Sequence, residues 1–300
     1  MMPEESLNQT PQQRARSAFE ALITGEDTAI DLAKAALLIA AEEYPDLNIA
    51  HYLTQLDMLA QKVYEAFDLP SSTFKIATPL AQIIDPLKII GAMNKVLFKE
   101  ERFLGNRTNY YDPCNSFLND VLERHKGIPI TLSIIYIEVG KRLGLQIMGI
   151  GLPFHFIVRC DLAESSIYID PFERGHLLSE QDCRERISSL FRGKIPFNPL
   201  WLEPVSNRQL LTRVLTNLKN IYIRDEDYPR ALAACDRIVL LAPDTAIERK
   251  DRGIVHHHLK HYTRAIRDFN TYLELAPLAE DADDVRRQIK AIRQTIAMLN

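Results

Sequence analysis

The first hundred residues carry apolar positions at helical spacing. From Gln12 to about Ile23, and again from Thr28 to Glu43, apolar side chains recur once per turn, with Ile30, Leu32, Ala35, Leu37, Leu38 and Ala41 marking the second stretch. Asn48 to Phe67 repeats the pattern through Ile49, Tyr52, Leu53, Leu56, Leu59 and Val63, and Pro70-Ser71-Ser72 breaks it. Asp85-Pro86 supplies a helix cap followed by proline at the first helical position, ahead of an inward stripe of Leu87, Ile90, Met93 and Leu97. Residues 1 to about 10 are polar, and disorder is expected there. The spacing predicts an all-helical lobe over residues 1–100.

Over residues 101–205 the period changes. Asn115 is placed to cap a helix to about His125, with Gly127 closing it from the left-handed conformation. Pro129 opens the next helix, whose apolar face uses Leu132, Ile135, Tyr136 and Val139, and Gly144 ends it. Strand-like segments follow at 146–151, 154–160 and 166–170. In the second, alternation puts His155, Ile157 and Arg159 on one face and Phe154, Phe156, Val158 and Cys160 on the other. Ser179-x-x-Asp182 signals a helix to about Arg192, and the proline-rich stretch around Trp201 reads as an ordered linker.

Residues 206–300 repeat. Tyr228 and Tyr262, Ala231 and Ala265, and Leu241-Ala242-Pro243 and Leu275-Ala276-Pro277 are each separated by 34 residues, the tetratricopeptide period. Two units are clear, and the mixed-charge helix from about Ala279 to Met298 reads as the polar cap of the array. The predicted fold class is α+β: a helical N-terminal lobe, a core with a small antiparallel sheet, and C-terminal α-helical repeats.

Composition narrows the function classes. A net charge of -4 with acids and bases interspersed gives no electrostatic case for nucleic acid or an anionic membrane. The longest aliphatic run, Ala35 to Ala41, is too short to span a bilayer, and Met-Met-Pro-Glu-Glu-Ser does not read as a secretory signal. Cys114, Cys160, Cys183 and Cys235 are widely spaced, which fits reduced thiols and a cytoplasmic location. His256-His257-His258 and His261 invite a metal reading. Adjacent helical residues point about 100° apart, however, so a solvated repeat face is expected, with no metal and no cofactor.

The chemistry-bearing candidates are His155 and Asp170. An imidazole oriented by a carboxylate is the base of a thiol enzyme, whereas a lone histidine in a strand more often serves packing. A helix followed by antiparallel strands bearing a His and then an Asp resembles the papain-like and transglutaminase-like core. Gly127-Ile128-Pro129, Leu143-Gly144-Leu145, His155 and Asp170-Pro171 follow that core's order. The resemblance implies that His155 and Asp170 match the base and the orienting acid, and that the nucleophile's place falls on Pro129. Thr131 is the hydroxyl nearest that helix start, and Cys114, one helix upstream, is the other candidate. Cys160 falls on the strand face opposite His155, and Cys183 and Cys235 belong to other elements. Tyr110, Tyr111, Phe117 and Phe154 either line a pocket beside His155 or form core, and Tyr111, Asn115 and Phe154 are the candidate binding residues.

A longer set of motifs, Asn115 through Arg124, Gly127 through Ser133, Gly149-Ile150-Gly151-Leu152-Pro153 and Ile169-Asp170-Pro171-Phe172, resembles the bacterial SirB-type family. The resemblance implies a transglutaminase-like core joined to tetratricopeptide repeats, with Gly-Ile-Pro at the thiol site as a family habit. It implies a cytoplasmic regulatory or scaffold protein that binds protein or peptide partners through a catalytically degenerate core and its repeats. The alternative is a transglutaminase-like or peptidase-like enzyme using His155 and Asp170 with a nonstandard nucleophile.

Overall fold

The computed structural model describes residues 9–67, 79–163 and 165–299. Residues 1–8 and the Pro70-Ser71-Ser72 break lie outside them. The chain divides into two compact units, Met1–Leu210 and Leu211–Asn300.

The first unit opens with α1 (Pro11–Ile23), α2 (Leu32–Glu43) and α3 (Ile49–Glu65). Each begins behind a side chain that accepts a backbone N–H: Thr10 in a capping box with Gln13, Asp31 from Lys34 at 3.0 Å, and Asn48 from His51 at 3.2 Å. α2 is buried from Leu32 to Ala41 with only Lys34 breaking the run, and its alanines let neighbouring helices approach. α4 (Pro86–Asn94) starts at the Asp85 cap as expected. Ile90, Met93 and Leu97 face inward, but Leu87 is exposed and Ile89 takes the inward place instead.

Two short parallel strands, β1 (Leu104–Gly105) and β2 (Lys126–Gly127), flank α5 (Leu118–Arg124) and lead into α6 (Pro129–Arg142). Here the expected caps are corrected. Asn115 closes a 3-10 turn, and α5 starts only after Phe117. His125, at φ 52°, takes the left-handed position assigned to Gly127. Gly127 sits in β2 for a different reason, since a Cβ there would lie 2.9 Å from both Thr131 Oγ1 and a Val121 methyl. Close approach, not handedness, requires the glycine.

Every residue of α6 from Pro129 to Gly140 is buried. The helix packs on the sheet on one side and on α2 and α3 on the other. Tyr136 donates its hydroxyl to Asn94 Oδ1 at 3.0 Å, and Asn94 Nδ2 donates to the Gly175 carbonyl at 2.8 Å. α4, α6 and the turn after β5 are thereby tied together.

The sheet is antiparallel in the order β3 (Ile147–Ile150), β4 (Ile157–Asp161), β5 (Ser166–Asp170), β6 (His176–Leu178). β4 starts three residues later than expected. Phe154 is left-handed at φ 58°, and the His155 N–H donates to the Leu152 carbonyl at 3.1 Å, closing a turn. Phe154 and His155 therefore belong to the β3–β4 connection, beyond the reach of strand alternation. Alternation also fails as a guide within β4, because Ile157, Val158 and Cys160 are all buried. α6 covers one face of the sheet. The other face packs with α7 (Glu180–Leu190) into a core of Ile150, Ile157, Tyr168, Cys183, Ile187 and Leu202, bordered by Trp201.

α8 (Asn207–Arg224) begins against residues 23–30, where the Asp27 carboxylate accepts the Asn207 and Arg208 N–H groups at 2.8 and 2.9 Å. In the second unit, α9 (Tyr228–Leu241) and α11 (Tyr262–Leu275) follow α8 and α10 (Ala246–His258), and α12 (Ala282–Leu299) closes the array. The repeat extends to backbone detail: Ala242 and Ala276 end their helices at φ -137° and -136°, and Ala231 and Ala265 are fully buried. Of the histidine cluster, His258 and His261 are exposed and His257 is half-buried, as expected of a solvated face, and His256 is the exception. His256 is buried, 3.8 Å from Asp268 and 3.3 Å from the His261 ring, and burial lowers its pKa. Among the described residues no group of three His, Cys, Asp or Glu side chains is placed to hold a metal.

Gly105 tests how tightly β1 is fitted to the turn after β5. A Cβ there would fall 2.5 Å from the Phe172 ring, so Gly105→Ala should destabilise the protein by about 1–3 kcal/mol in urea unfolding. Unchanged stability would show that the ring moves freely.

Candidate functional site

The site is built at one end of the β4–β5 pair. Val158 lies opposite Ile169, so the connection ahead of β4 and the last residue of β5 emerge together. His155 and Asp170 meet there, with Nε2 2.8 Å from Oδ2. Asp170 is fully buried and its carboxylate is fully engaged. Oδ1 accepts the N–H groups of Phe172 and Glu173 at 3.1 and 3.2 Å, and Oδ2 also accepts from Arg186 Nη1 at 2.7 Å. Burial alone would push this carboxyl up. The hydrogen bonds and charges of His155 and Arg186 outweigh that effect and hold it below its ordinary value.

Arg186 was not legible as a site residue. The Ser179–Asp182 capping box forms as expected and sets the register of α7, with Cys183 and Ile187 buried and Arg186 beside them. On sequence pattern alone an arginine there reads as solvated. The signal is the burial of Asp170, which demands a cation.

With Nε2 on the carboxylate, the hydrogen-bond network leaves Nδ1 as the nitrogen that can meet a ligand. The ring is 15% exposed and borders a cavity of about 310 Å³ lined also by Leu152, Phe154, Arg186, Ile187 and Leu190. Phe154 is 79% exposed and lies 6.4 Å from Phe191. The ring of Phe172 stands edge-on to His155 at 6.1 Å and to Tyr110 at 6.4 Å, and Tyr110 in turn meets the exposed Tyr111 at 5.3 Å. Phe117, by contrast, is core, packed edge-on against Tyr44.

The candidate nucleophiles lie in other surroundings. Pro129, at the first position of α6, is buried. The Thr131 hydroxyl accepts from the Ile128 N–H at 3.2 Å and donates to the Asn115 carbonyl at 2.7 Å, with the residue 1% exposed. Cys114 stands 3.9 Å from the Tyr44 hydroxyl. Burial, and then the charges of Asp120 and Asp112, push its thiol up to about 11, so it is held protonated. Burial likewise raises Cys160, and pushes Cys183 and Cys235 up to about 12. Among the described residues no thiol or hydroxyl hydrogen-bonds the His155 ring. Asn115 Nδ2 donates to the carbonyls of Asn109 and Tyr110 at 2.7 and 3.1 Å, and its Oδ1 accepts from Asn106 at 3.0 Å. Its amide shapes the loop that presents Tyr110 and Tyr111.

The Asp170 ionisation fixes a pH dependence. The unfolded chain takes up this proton near 3.8 and the folded chain only at lower pH. The contribution to stability is therefore complete above 3.8 and is lost as pH falls through the folded-state value. Asp170→Asn should be about 1–3 kcal/mol less stable at neutral pH. In urea unfolding at stepped pH it should also show a shallower loss below 3.8 than the native chain. Parallel profiles would contradict this.

The family model of the transglutaminase-like superfamily matches residues 50–216, and a tetratricopeptide repeat model matches residues 218–290. A UPF0162 protein of Xylella fastidiosa strain 9a5c is 36% identical over 271 residues, covering 89% of this chain and 92% of that protein. A UPF0162 protein of Vibrio cholerae is 30% identical over 202 residues, 67% of this chain and 74% of that protein. Human F-box only protein 21 is 27% identical over 217 residues, 66% of this chain but 34% of that protein. The order of core and repeats, the paired imidazole and carboxylate, and the extent of these matches lead to one assignment: the chain belongs to the UPF0162 family, with a transglutaminase-like core followed by tetratricopeptide repeats.

Proposed function

We propose that this chain is a cytoplasmic regulatory or scaffold protein, of the SirB type, that binds protein or peptide partners. In this reading its transglutaminase-like core works by recognition instead of thiol catalysis, and the repeats offer a second recruiting surface. One observation carries the reading. Each candidate nucleophile is engaged elsewhere, Thr131 by the Asn115 carbonyl and Cys114 by Tyr44 among acids, while His155 keeps its carboxylate. A transglutaminase-like enzyme needs a deprotonated sulfur against that ring.

What remains suits a peptide. Leu152, Phe154, Ile187 and Leu190 line an apolar cavity beside a single imidazole acceptor. An apolar side chain can fill the cavity while a backbone N–H donates to Nδ1. The exposed Tyr111 supplies an aromatic surface beyond Tyr110 and Phe172. The repeat helices belong to an architecture whose concave surfaces take up extended or helical segments.

Intact-mass analysis after treatment with iodoacetamide or a fluorophosphonate separates this reading from an enzyme. The native chain and His155→Ala should label to the same extent, with Cys114 reacting slowly. A single modified residue that depends on His155 would establish a nucleophile and remove the proposal. Partner capture is tested separately by placing a photoreactive benzoylphenylalanine at position 154. Cross-linking to a defined protein should occur in the native background and fall about tenfold or more in His155→Ala. Equal yields would contradict a role for the dyad in recognition.

A further inference from the structure

A guanidinium carries five N–H donors, and at Arg186 the fold engages only the Nη1 end. Nη1 donates to Asp170 Oδ2 at 2.7 Å, and among the described residues nothing accepts from Nε or Nη2. The side chain is 40% exposed and lines the cavity at His155. Asp170 Oδ2 also meets His155 Nε2 at 2.8 Å, so guanidinium and imidazole stand side by side on one oxygen. Each turns one edge to the buried carboxylate and keeps another unpaired. On the ring that edge is Nδ1, an acceptor. On the arginine it is the Nε–Nη2 fork, a pair of parallel donors.

The other lining residues are apolar. Leu152 and Ile187 are buried, whereas Phe154 and Leu190 are 79% and 52% exposed. Phe154 also holds a left-handed backbone at φ 58°, which bulky residues seldom adopt. Strain and an uncovered aromatic ring at one residue are both unfavourable, and an apolar group laid on the ring relieves the second. At about 310 Å³ the cavity lies at the small end of ligand sites, which run from ~300 to ~1,000 Å³. It has room for one side chain and not for a long acyl tail.

We propose that the His155 cavity receives the C-terminal residue of a polypeptide ending in an apolar side chain, with Arg186 reading the terminal carboxylate. The inference rests on the reading of this cavity as a peptide-recognition site and adds which part of the peptide enters. A C-terminal residue carries on one Cα the three groups that the lining matches. Its N–H donates to His155 Nδ1, and its carboxylate accepts from Nε and Nη2 of Arg186. Its side chain fills the space among Leu152, Phe154, Ile187 and Leu190. A fatty acid lacks the N–H, and an internal residue lacks the carboxylate. Asp170 already balances the charge of Arg186, so discrimination comes from the two parallel hydrogen bonds more than from net charge.

Titration of the nitrogen-15-labelled full chain, followed in amide proton–nitrogen spectra, tests this with acetyl-Gly-Gly-Leu, its C-terminal amide, and octanoate. The free acid should bind saturably, about tenfold or more tighter than the amide. Arg186→Gln should bring the two peptides to within about twofold of each other, a lost preference that a purely structural role for the arginine would not produce. Because Arg186 also serves the buried Asp170, melting temperatures are compared with the native value. Leu190→Glu keeps the test decisive should Arg186→Gln unfold. One helical turn beyond Arg186, it offers the fork a competing carboxylate and leaves the bond to Asp170 in place. It should weaken the acid about threefold or more relative to Leu190→Gln, which loses the same apolar contact without the charge. Equal binding of acid and amide overturns the inference. So does an acid preference that survives in folded Arg186→Gln, equal affinity in Leu190→Glu and Leu190→Gln, octanoate binding as tightly as the peptide, or binding of neither peptide. Equal binding of acid and amide that is lost in His155→Ala removes only the C-terminal anchor, and the recognition reading itself is decided by the cross-linking at position 154.

Discussion

A carboxylate removed from water must find donors for both oxygens, and Asp170 finds four: two turn amides, an imidazole and a guanidinium. That requirement shapes the middle of the chain. It bends the backbone after β5 into the turn that carries Phe172 and draws the β3–β4 connection down so that His155 reaches the sheet end. It also recruits α7 through Arg186. The ring orientation of His155 follows, because a nitrogen bound to the carboxylate cannot also face a ligand. Arg186 has a further effect. It donates to the same Asp170 oxygen that accepts from His155, so that oxygen carries two cationic or polar donors at once.

Much of this was legible in the sequence. The 34-residue repeat appears in matching helix ends at Ala242 and Ala276, because recurrence at a fixed period reports the same local packing twice. The starts of α4 and α7 were marked by Asp85 and Ser179, whose side chains act within one turn and need no tertiary context. The partnership of His155 with Asp170 was anticipated only through the resemblance to the transglutaminase-like core, since the residues alone favoured a packing role for the histidine.

What escaped depends on contacts between distant residues. Alternation carries face information only where one face is wet, and β4 is covered on both sides, so Phe154 and Phe156 looked alike. One is exposed on a connection and the other is core. Gly127 was expected to turn the chain, but His125 does so, and the glycine serves the close approach of Thr131 and Val121. Asn119 and His256 gave no periodic signal, since burial of a polar side chain is decided by what packs over it.

The most direct test of the account is the protonation of the His155 ring, read in a long-range proton–nitrogen correlation spectrum of the nitrogen-15-labelled protein. The neutral ring should carry its proton on Nε2 with a bare Nδ1, and alkylating Cys114 should leave the spectrum unchanged. A ring signal that moves when Cys114 is blocked would place the imidazole in the service of a thiol, and a neutral ring protonated on Nδ1 would have no hydrogen to give Asp170; either result would contradict the account.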